Sequence, residues 1–360
     1  MNIYDNYLST IREAIDRDKK SKSFSKGLSG FERPLTEGVD TRAFFDKKID
    51  MTPLPSFLNL VNTAGLKANV NQKLGEHPDF KHLKETNQTE KHYIVSVFID
   101  IKGSTNLFRE YDLETITVIT NTIQRAAIHT CVALGGYIHR LQGDGVFVYF
   151  GGKGVDKKDA NIKAITATSM FSYFVKNDLK KIFDQDGIED ISTRIGIDFG
   201  DDENVIWAKA GIGDCSEITT YSLHTNLASK MQGHAKSNGI VVGEYVKSKT
   251  QLSEELFSLV TDSYGNVIKR YIFENRKSGF LYTQYEFNWL KYLKSLPYLR
   301  EDVDGLVPVS KDDAERERLN RLRQTAGIIT GGNAFTDSEG NISSSSVGVK
   351  NQPHRFHYEG

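Results

Sequence analysis

The chain has 360 residues, 26 % of them charged, and a net charge of −1; that is room for one large or two smaller domains, and the balanced charge gives no reason to expect a nucleic-acid partner. Only two cysteines, Cys131 and Cys215, are present and neither stands in metal-ligand spacing, which argues against a disulfide framework and for a reducing compartment. No apolar stretch approaches membrane-spanning length and the first residues lack the apolar core of a signal peptide, so a soluble cytoplasmic protein with no membrane partner is expected.

Ile3, Tyr7, Leu8, Ile11, Ala14 and Ile15 recur at helical spacing, predicting an amphipathic helix over residues 1–20 that packs on the protein's own body or on a second copy. From 21 to about 91 the pattern is irregular, with Pro34, Pro53 and Pro55 and a short apolar cluster at Phe57, Leu58, Leu60 and Val61. Residues 1–90 read as an ordered N-terminal extension. His77 and His82 match no metal-site spacing and are expected at the surface. Residues 93–100 are a nearly continuous apolar run of strand length ending in Asp100. An acid closing a buried strand is costly unless a cation meets it. A helical pattern follows over 104–134 through Leu107, Tyr111, Ile116, Ile119, Ile123 and Ala127, stopped by Gly135.

Residues 135–150 hold two runs rich in β-branched and aromatic residues around Gly143, Asp144 and Gly145, the strongest short-range hairpin signal. Asp144 then sits at the tip, where Asp-Gly is also ordinary turn chemistry. Strand, helix and hairpin is how a ferredoxin-like sheet begins, with the first strand beside the hairpin, so Asp100 and Asp144 are expected to converge. Residues 158–183 repeat the helical pattern. Residues 192–199 and 205–212 read as strands joined by a solvated acidic hairpin turn at Gly200, Asp201, Asp202 and Glu203. A short helix over 223–236 and a short strand over 240–243 complete an α+β pattern, an antiparallel-rich sheet flanked by helices. The aromatic-rich stretch 280–289 reads as half-buried sheet leading to a short helix before Pro297. The expected division is an extension at 1–90, the α+β domain at 91–290, C-terminal helices at 291–324 and a flexible Gly-, Ser- and Asn-rich tail at 325–360.

Two carboxylates on neighbouring strands, above a glycine-bearing turn and a helix N-terminus, suit two hard divalent ions, Mg²⁺ or Mn²⁺, and a triphosphate. Oxygen ligands take the metals, and the first-turn amides after Gly103 point at phosphate. In order and spacing, Ile99-Asp100-Ile101-Lys102-Gly103-Ser104-Thr105, Gly135-Gly136 with Arg140 and Gly143-Asp144-Gly145, and Asn226-Leu227-Ala228-Ser229-Lys230-Met231 resemble the class III nucleotidyl cyclases over roughly residues 93–285. Each motif is weak alone; three in register make the match specific. The resemblance implies a ferredoxin-like cyclase catalytic domain in which Asp100 and Asp144 hold the metals with the backbone carbonyl of Ile101. It places Gly103, Ser104 and Thr105 at the phosphates, Asn226 at the ribose and Lys230 at the α-phosphate. The family usually pairs Asn with Arg, so Lys230 keeps the charge and loses the bidentate fork. Lys277 is the nearest candidate for the pyrophosphate-binding lysine. The family acts as a head-to-tail dimer, implying a homodimer with metal residues from one subunit and base-reading and transition-state residues from the other.

The base-reading positions depart from the purine cyclases. Adenylate cyclases carry Lys where this chain has Arg140, and Asp or Thr where it has Thr219, seven residues before Asn226; guanylate cyclases carry Glu at the Arg140 position. Arg140 offers five donors and accepts nothing, and its bulk fills space that a second purine ring needs. Cytosine O2 and N3, or uracil O2 and O4, suit that fork, with Thr219 accepting from cytosine's amine or uracil's N3–H. Guanine O6 and N7 also pair with arginine, but a donor is wrong for guanine's N1–H. The match is closest to the cytidylate and uridylate cyclases of bacterial Pycsar anti-phage systems. It implies conversion of CTP or UTP to the 3′,5′-cyclic monophosphate, read on infection by a separate effector protein. An adenylate or guanylate cyclase of ordinary signalling is the alternative. Polymerase palms and cyclic-dinucleotide synthases share the two-carboxylate site, and a non-catalytic nucleotide sensor is a further reading because Lys230 and Ser104 depart from the usual residues. Retention of both aspartates speaks against the sensor.

Overall fold

A computed structural model describes residues 2–27, 55–65, 68–69, 73–187, 191–262, 264–267, 273–275, 280–303 and 305–309, with a few positions between 313 and 345. Two compact units form, Met1–Pro308 and Val309–Gly360. In the second, Asn333–Thr336 pairs antiparallel with Ile342–Ser345, inside the stretch expected as a tail. Of the C-terminal helices expected at 291–324, Leu299–Asp302 and Gly305–Pro308 form an antiparallel strand pair instead, and most residues from 310 to 324, like the rest of that tail, lie outside the described residues. Among the described residues no helix is long and apolar enough to cross a membrane.

The first unit is built on β1 (Ile94–Lys102), which pairs antiparallel on one side with β3 (Gly145–Phe150) and on the other with β4 (Ser192–Gly200). Adding β2 (Gly136–Gln142) outside β3 gives the strand order β2-β3-β1-β4, the ferredoxin-like arrangement expected from the sequence. Three more strands extend the sheet beyond β4. Later in the chain, β7 (Gly239–Gly243) runs parallel to β4, and β9 (Gln284–Phe287) and β8 (Phe257–Leu259) complete seven strands. The aromatic-rich stretch thus contributes a sheet strand, with Gln284 and Phe287 buried and Tyr285 and Glu286 half-buried.

Successive side chains of β1 point to opposite faces and both faces are covered, which explains its nearly continuous apolar run. Val95, Val97, Ile99 and Ile101 enter the main core, while Ile94 and Phe98 pack into a second cluster with Phe80, Tyr149 and Trp207. The main core is shared with the buried stripes of α3 (Leu113–Ala133) and α4 (Lys157–Tyr173). The N-terminal helix α1 (Asp5–Gly27) and the short α2 (Pro55–Thr63) pack against α3 on the protein's own body, with the Tyr4 hydroxyl 2.9 Å from that of Thr130 and the Tyr7 hydroxyl bonded to His129 Nδ1.

On the other face lie α5 (Leu223–His234), against β4 and β1, and an antiparallel ribbon of β5 (Ile206–Ile212) and β6 (Cys215–Tyr221). Here the structure corrects three expectations. The acidic turn after β4 does not close a hairpin: β4 belongs to the main sheet and β5 to a separate three-stranded one. Two of the turn's acids are tied down, Lys157 bridging Asp201 and Asp202 while Lys249 meets Asp201 at 3.2 Å. Next, His77 is 2 % exposed rather than at the surface, its ring wedged among Phe80, Tyr137 and Trp207, whereas His82 keeps an exposed side chain. Finally, the pattern over 104–134 is not one helix. After a short turn the chain breaks at Tyr111, and Asp112 caps α3 by accepting from the Thr115 amide at 2.8 Å.

Candidate active site

The pairing of β1 with β3 brings Asp100 and Asp144 to one corner of the sheet. Asp100 lies two residues before the end of β1, half-buried, and Asp144 stands in the turn between β2 and β3, where Gly143 takes a φ of +60°. Gly145 is required at the junction: a Cβ there would stand 2.8 Å from the Ile99 carbonyl and 3.9 Å from the Asp100 Cα. Gln124 of α3 braces the turn by donating to the Gly143 carbonyl at 3.0 Å. The cation that Asp100 needs is Arg194, its cross-strand partner on β4, whose Nε donates to the carboxylate at 3.0 Å and whose Nη2 binds the same oxygen.

Gly103 (φ +91°) opens a tight turn over Ser104–Asn106, and the Ser104 hydroxyl donates to Asp144. Thr105 lies exposed in that turn, and Ile101 is buried in β1. The structure therefore gathers Asp100, Ile101, Gly103, Ser104, Thr105 and Asp144 into one neighbourhood. Among the described residues no group of three His, Cys, Asp or Glu side chains forms a closed metal cage. Two part-exposed carboxylates beside a backbone carbonyl are instead an open, all-oxygen set. That fits hard divalent ions which keep water and take phosphate oxygens as their remaining ligands.

A second group forms where β2 meets the β5–β6 ribbon. The strand β2 carries a bulge between Ile138 and Arg140, which turns His139 inward to 3 % exposure while Arg140 emerges into solvent. Glu217 of β6 holds the Arg140 guanidinium, accepting from Nε at 3.2 Å and also pairing with Nη2. Two residues along β6, the Thr219 hydroxyl lies 3.1 Å from His139 Nε2 and 3.4 Å from the Tyr149 hydroxyl. Arg140 and Thr219 are thus joined through Glu217 and His139. Beside them an open cleft of about 330 Å³ is lined by Arg140, Glu217, Gly211 and Cys215. Burial pushes the His139 imidazole down to about 3, with the Arg140 charge acting in the same sense.

Asn226 and Lys230 lie one turn apart on α5, both exposed. The first turn of that helix is held by three buried polar links. Thr225 bonds Ser96 of β1 and Thr220 of β6, each at 2.9 Å, and His224 meets Asp198 of β4 at 3.0 Å. Tyr282 also donates to Asp198. Lys277 lies outside the described residues. Glu217, His139 and Tyr149 were missed from sequence; β6 itself was not recognised as a strand, and no local pattern announces the β2 bulge.

The model of the adenylate and guanylate cyclase catalytic domain matches residues 87–268. Among curated proteins, the chain is 43 % identical over 279 residues to a cytidylate cyclase of Staphylococcus aureus, covering 77 % of this chain and 64 % of that protein. It is 32 % identical over 314 residues to a cytidylate cyclase of Escherichia coli, covering 82 % and 65 %. The chain thus spans just under two thirds of the length of these relatives. A solved adenylyl cyclase, CyaB from P. aeruginosa, aligns at 20 % identity with a TM-score of 0.45, over 56 % of this chain and 95 % of that one. The domain match takes in half of the sequence, and the protein belongs to the adenylate and guanylate cyclase catalytic domain family.

Proposed function

We propose that the protein is a cytidylate cyclase, converting CTP to 3′,5′-cyclic CMP and pyrophosphate, and that it works as a homodimer with sites shared between subunits. The observation that carries the pyrimidine reading is Arg140, held by Glu217 beside Thr219, where purine cyclases carry a lysine or a glutamate. The cytidylate cyclases among its relatives support the choice of CTP over UTP.

Asp100, Asp144 and the Ile101 carbonyl would hold two divalent ions, Mg²⁺ or Mn²⁺. When bound, such ions neutralise triphosphate charge and lower the pKa of a coordinated hydroxyl. Arg140 and Thr219 bind the base and fix its rotation. Asn226 orients the ribose so that the 3′-oxygen lies in line with the α-phosphorus, and Lys230 neutralises charge that develops on the α-phosphate as pyrophosphate leaves. Gly103, Ser104 and Thr105 receive phosphate oxygens at the turn after β1. Lys277 is carried in this reading as the pyrophosphate contact. The cyclic product would serve as a second messenger in anti-phage defence, read by a separate effector protein; that part rests on the sequence resemblance alone.

The test is to incubate the purified chain with Mn²⁺ and each of ATP, GTP, CTP and UTP, and to identify products by mass. Cyclic CMP as the main product is expected. Cyclic AMP or cyclic GMP would sink the base assignment, and no product with any nucleotide would favour a nucleotide sensor.

A further inference from the structure

His139 is a buried imidazole that the catalytic scheme above does not use, and its placement needs explanation. The bulge between Ile138 and Arg140 breaks the alternation of β2 to bring it inside. Its ring is then held edge-on by Phe147, at 4.9 Å between centroids, and by the tilted ring of Tyr149 at 4.8 Å. Such a polar group inside an aromatic wall is costly unless its hydrogen bonds are specific. Nε2 faces two oxygens, Thr219 Oγ1 at 3.1 Å and Glu217 Oε1 at 3.6 Å. A carboxylate on that side favours the neutral tautomer with its hydrogen on Nε2, and burial keeps the ring neutral across the physiological range.

We propose that His139 is a positioning residue for substrate selectivity: by donating from Nε2 to Thr219 it leaves the Thr219 hydroxyl as a donor toward the base. A hydroxyl has one hydrogen and two lone pairs. One lone pair of Thr219 is taken by His139; the Tyr149 hydroxyl pairs at 2.9 Å with Thr220 and stands 3.4 Å from Thr219, too long to compete well for the Thr219 hydrogen. The hydrogen is then left for the substrate. Arg140, tied to Glu217 by Nε and Nη2, keeps further N–H donors for the same purpose. Arg140 and Thr219 therefore face the base as donors, while the Glu217 carboxylate that shares the cleft is engaged by Arg140. Cytosine presents two adjacent acceptors, O2 and N3, to the Arg140 and Thr219 donors; uracil presents N3–H between two carbonyls and sets a donor against one of them. Sites that read a substrate by hydrogen bonds reject the mismatched analogue strongly, because a buried polar group is then left unpaired.

This inference rests on the cytidylate cyclase reading, and the experiment separates the two. Initial rates with CTP and UTP are measured for the wild-type chain, His139→Leu and His139→Gln, the last of which keeps an N–H donor. The CTP:UTP ratio of kcat/KM is expected to fall about tenfold or more in His139→Leu and to be largely retained in His139→Gln. A ratio unchanged in His139→Leu overturns the proposal while leaving the cyclase reading intact. Wild-type protein that makes no cyclic pyrimidine nucleotide overturns the cyclase reading, and this proposal with it. If His139→Leu does not fold, ¹⁵N chemical shifts of the histidine-labelled wild-type chain decide: a hydrogen on Nε2 of His139 supports the proposal, and one on Nδ1 overturns it.

Discussion

At the scale of single residues, Asp144 offers a clean test because its side chain is half-exposed and its hydrogen-bond partner in the fold is the Ser104 hydroxyl. Asp144→Ala is expected to lower turnover by about a hundredfold or more, the scale of losing a main charge-stabilising group, with a thermal midpoint within a few degrees of wild type. Activity retained in that variant would show that the metals are held elsewhere. The buried histidines make a separate expectation about pH. Burial holds His139 at about 3 and His77 at about 4, against 6.5 for a free imidazole. Both are neutral in the fold while the unfolded chain takes up protons below 6.5, so stability falls as the pH drops from there toward 4. Each contributes a slope of up to about 1.4 kcal/mol per pH unit in that window. Urea unfolding at pH 7, 6 and 5 should show the decline, and His139→Leu should show a shallower one; identical slopes would contradict the assignment.

The decisive element is α5, since both exposed residues in the proposed transition-state pair ride on it. It approaches β4 so closely at Gly196 that a Cβ there would collide with the Ala228 carbonyl and the Gln232 amide, both backbone atoms of the helix. Gly196→Ala is therefore expected to cost roughly 1–3 kcal/mol and to push α5 outward, reducing kcat more than the nucleotide's KM. A crystal structure or hydrogen exchange of α5 that showed no displacement would refute this. The sequence announced this helix and its Asn226 and Lys230, but not what seats it. Its anchors come from Ser96, Asp198 and Thr220 on three different strands.

For the whole molecule, the proposed head-to-tail homodimer would divide each site between subunits. Asp144→Ala and Lys230→Ala should each be inactive alone. Mixed in equal amounts and allowed to exchange, half of the dimers are hybrids with one intact site of two, so about a quarter of wild-type activity should return. No recovery on mixing, with exchange verified by sedimentation, would mean that each chain holds a complete site. Residues Met1–Pro308 pack as one unit in which the N-terminal helix joins the main core through Tyr4, Tyr7, Ile11 and Ile15. Truncation before residue 28 is therefore expected to destabilise the catalytic core rather than leave it untouched, which a thermal melt of the shortened chain would check.

The sequence alone determined the features with local causes. An Asp-Gly step between β-branched runs fixes the hairpin that carries Asp144, a strand-length apolar run ending in an acid marks Asp100, and the i to i+4 spacing of Asn226 and Lys230 puts both on one helix face. These signals lie within a few residues of what they specify. Tertiary structure decided what depends on neighbours distant in the chain: that Arg194 neutralises Asp100, that Glu217 grips Arg140, and that Thr219 sits on a strand of a second sheet. The bulge at His139 belongs to the same class, because two residues face one only when the partner strand is in place. Charge pairing and register are properties of facing strands, and no single segment carries them.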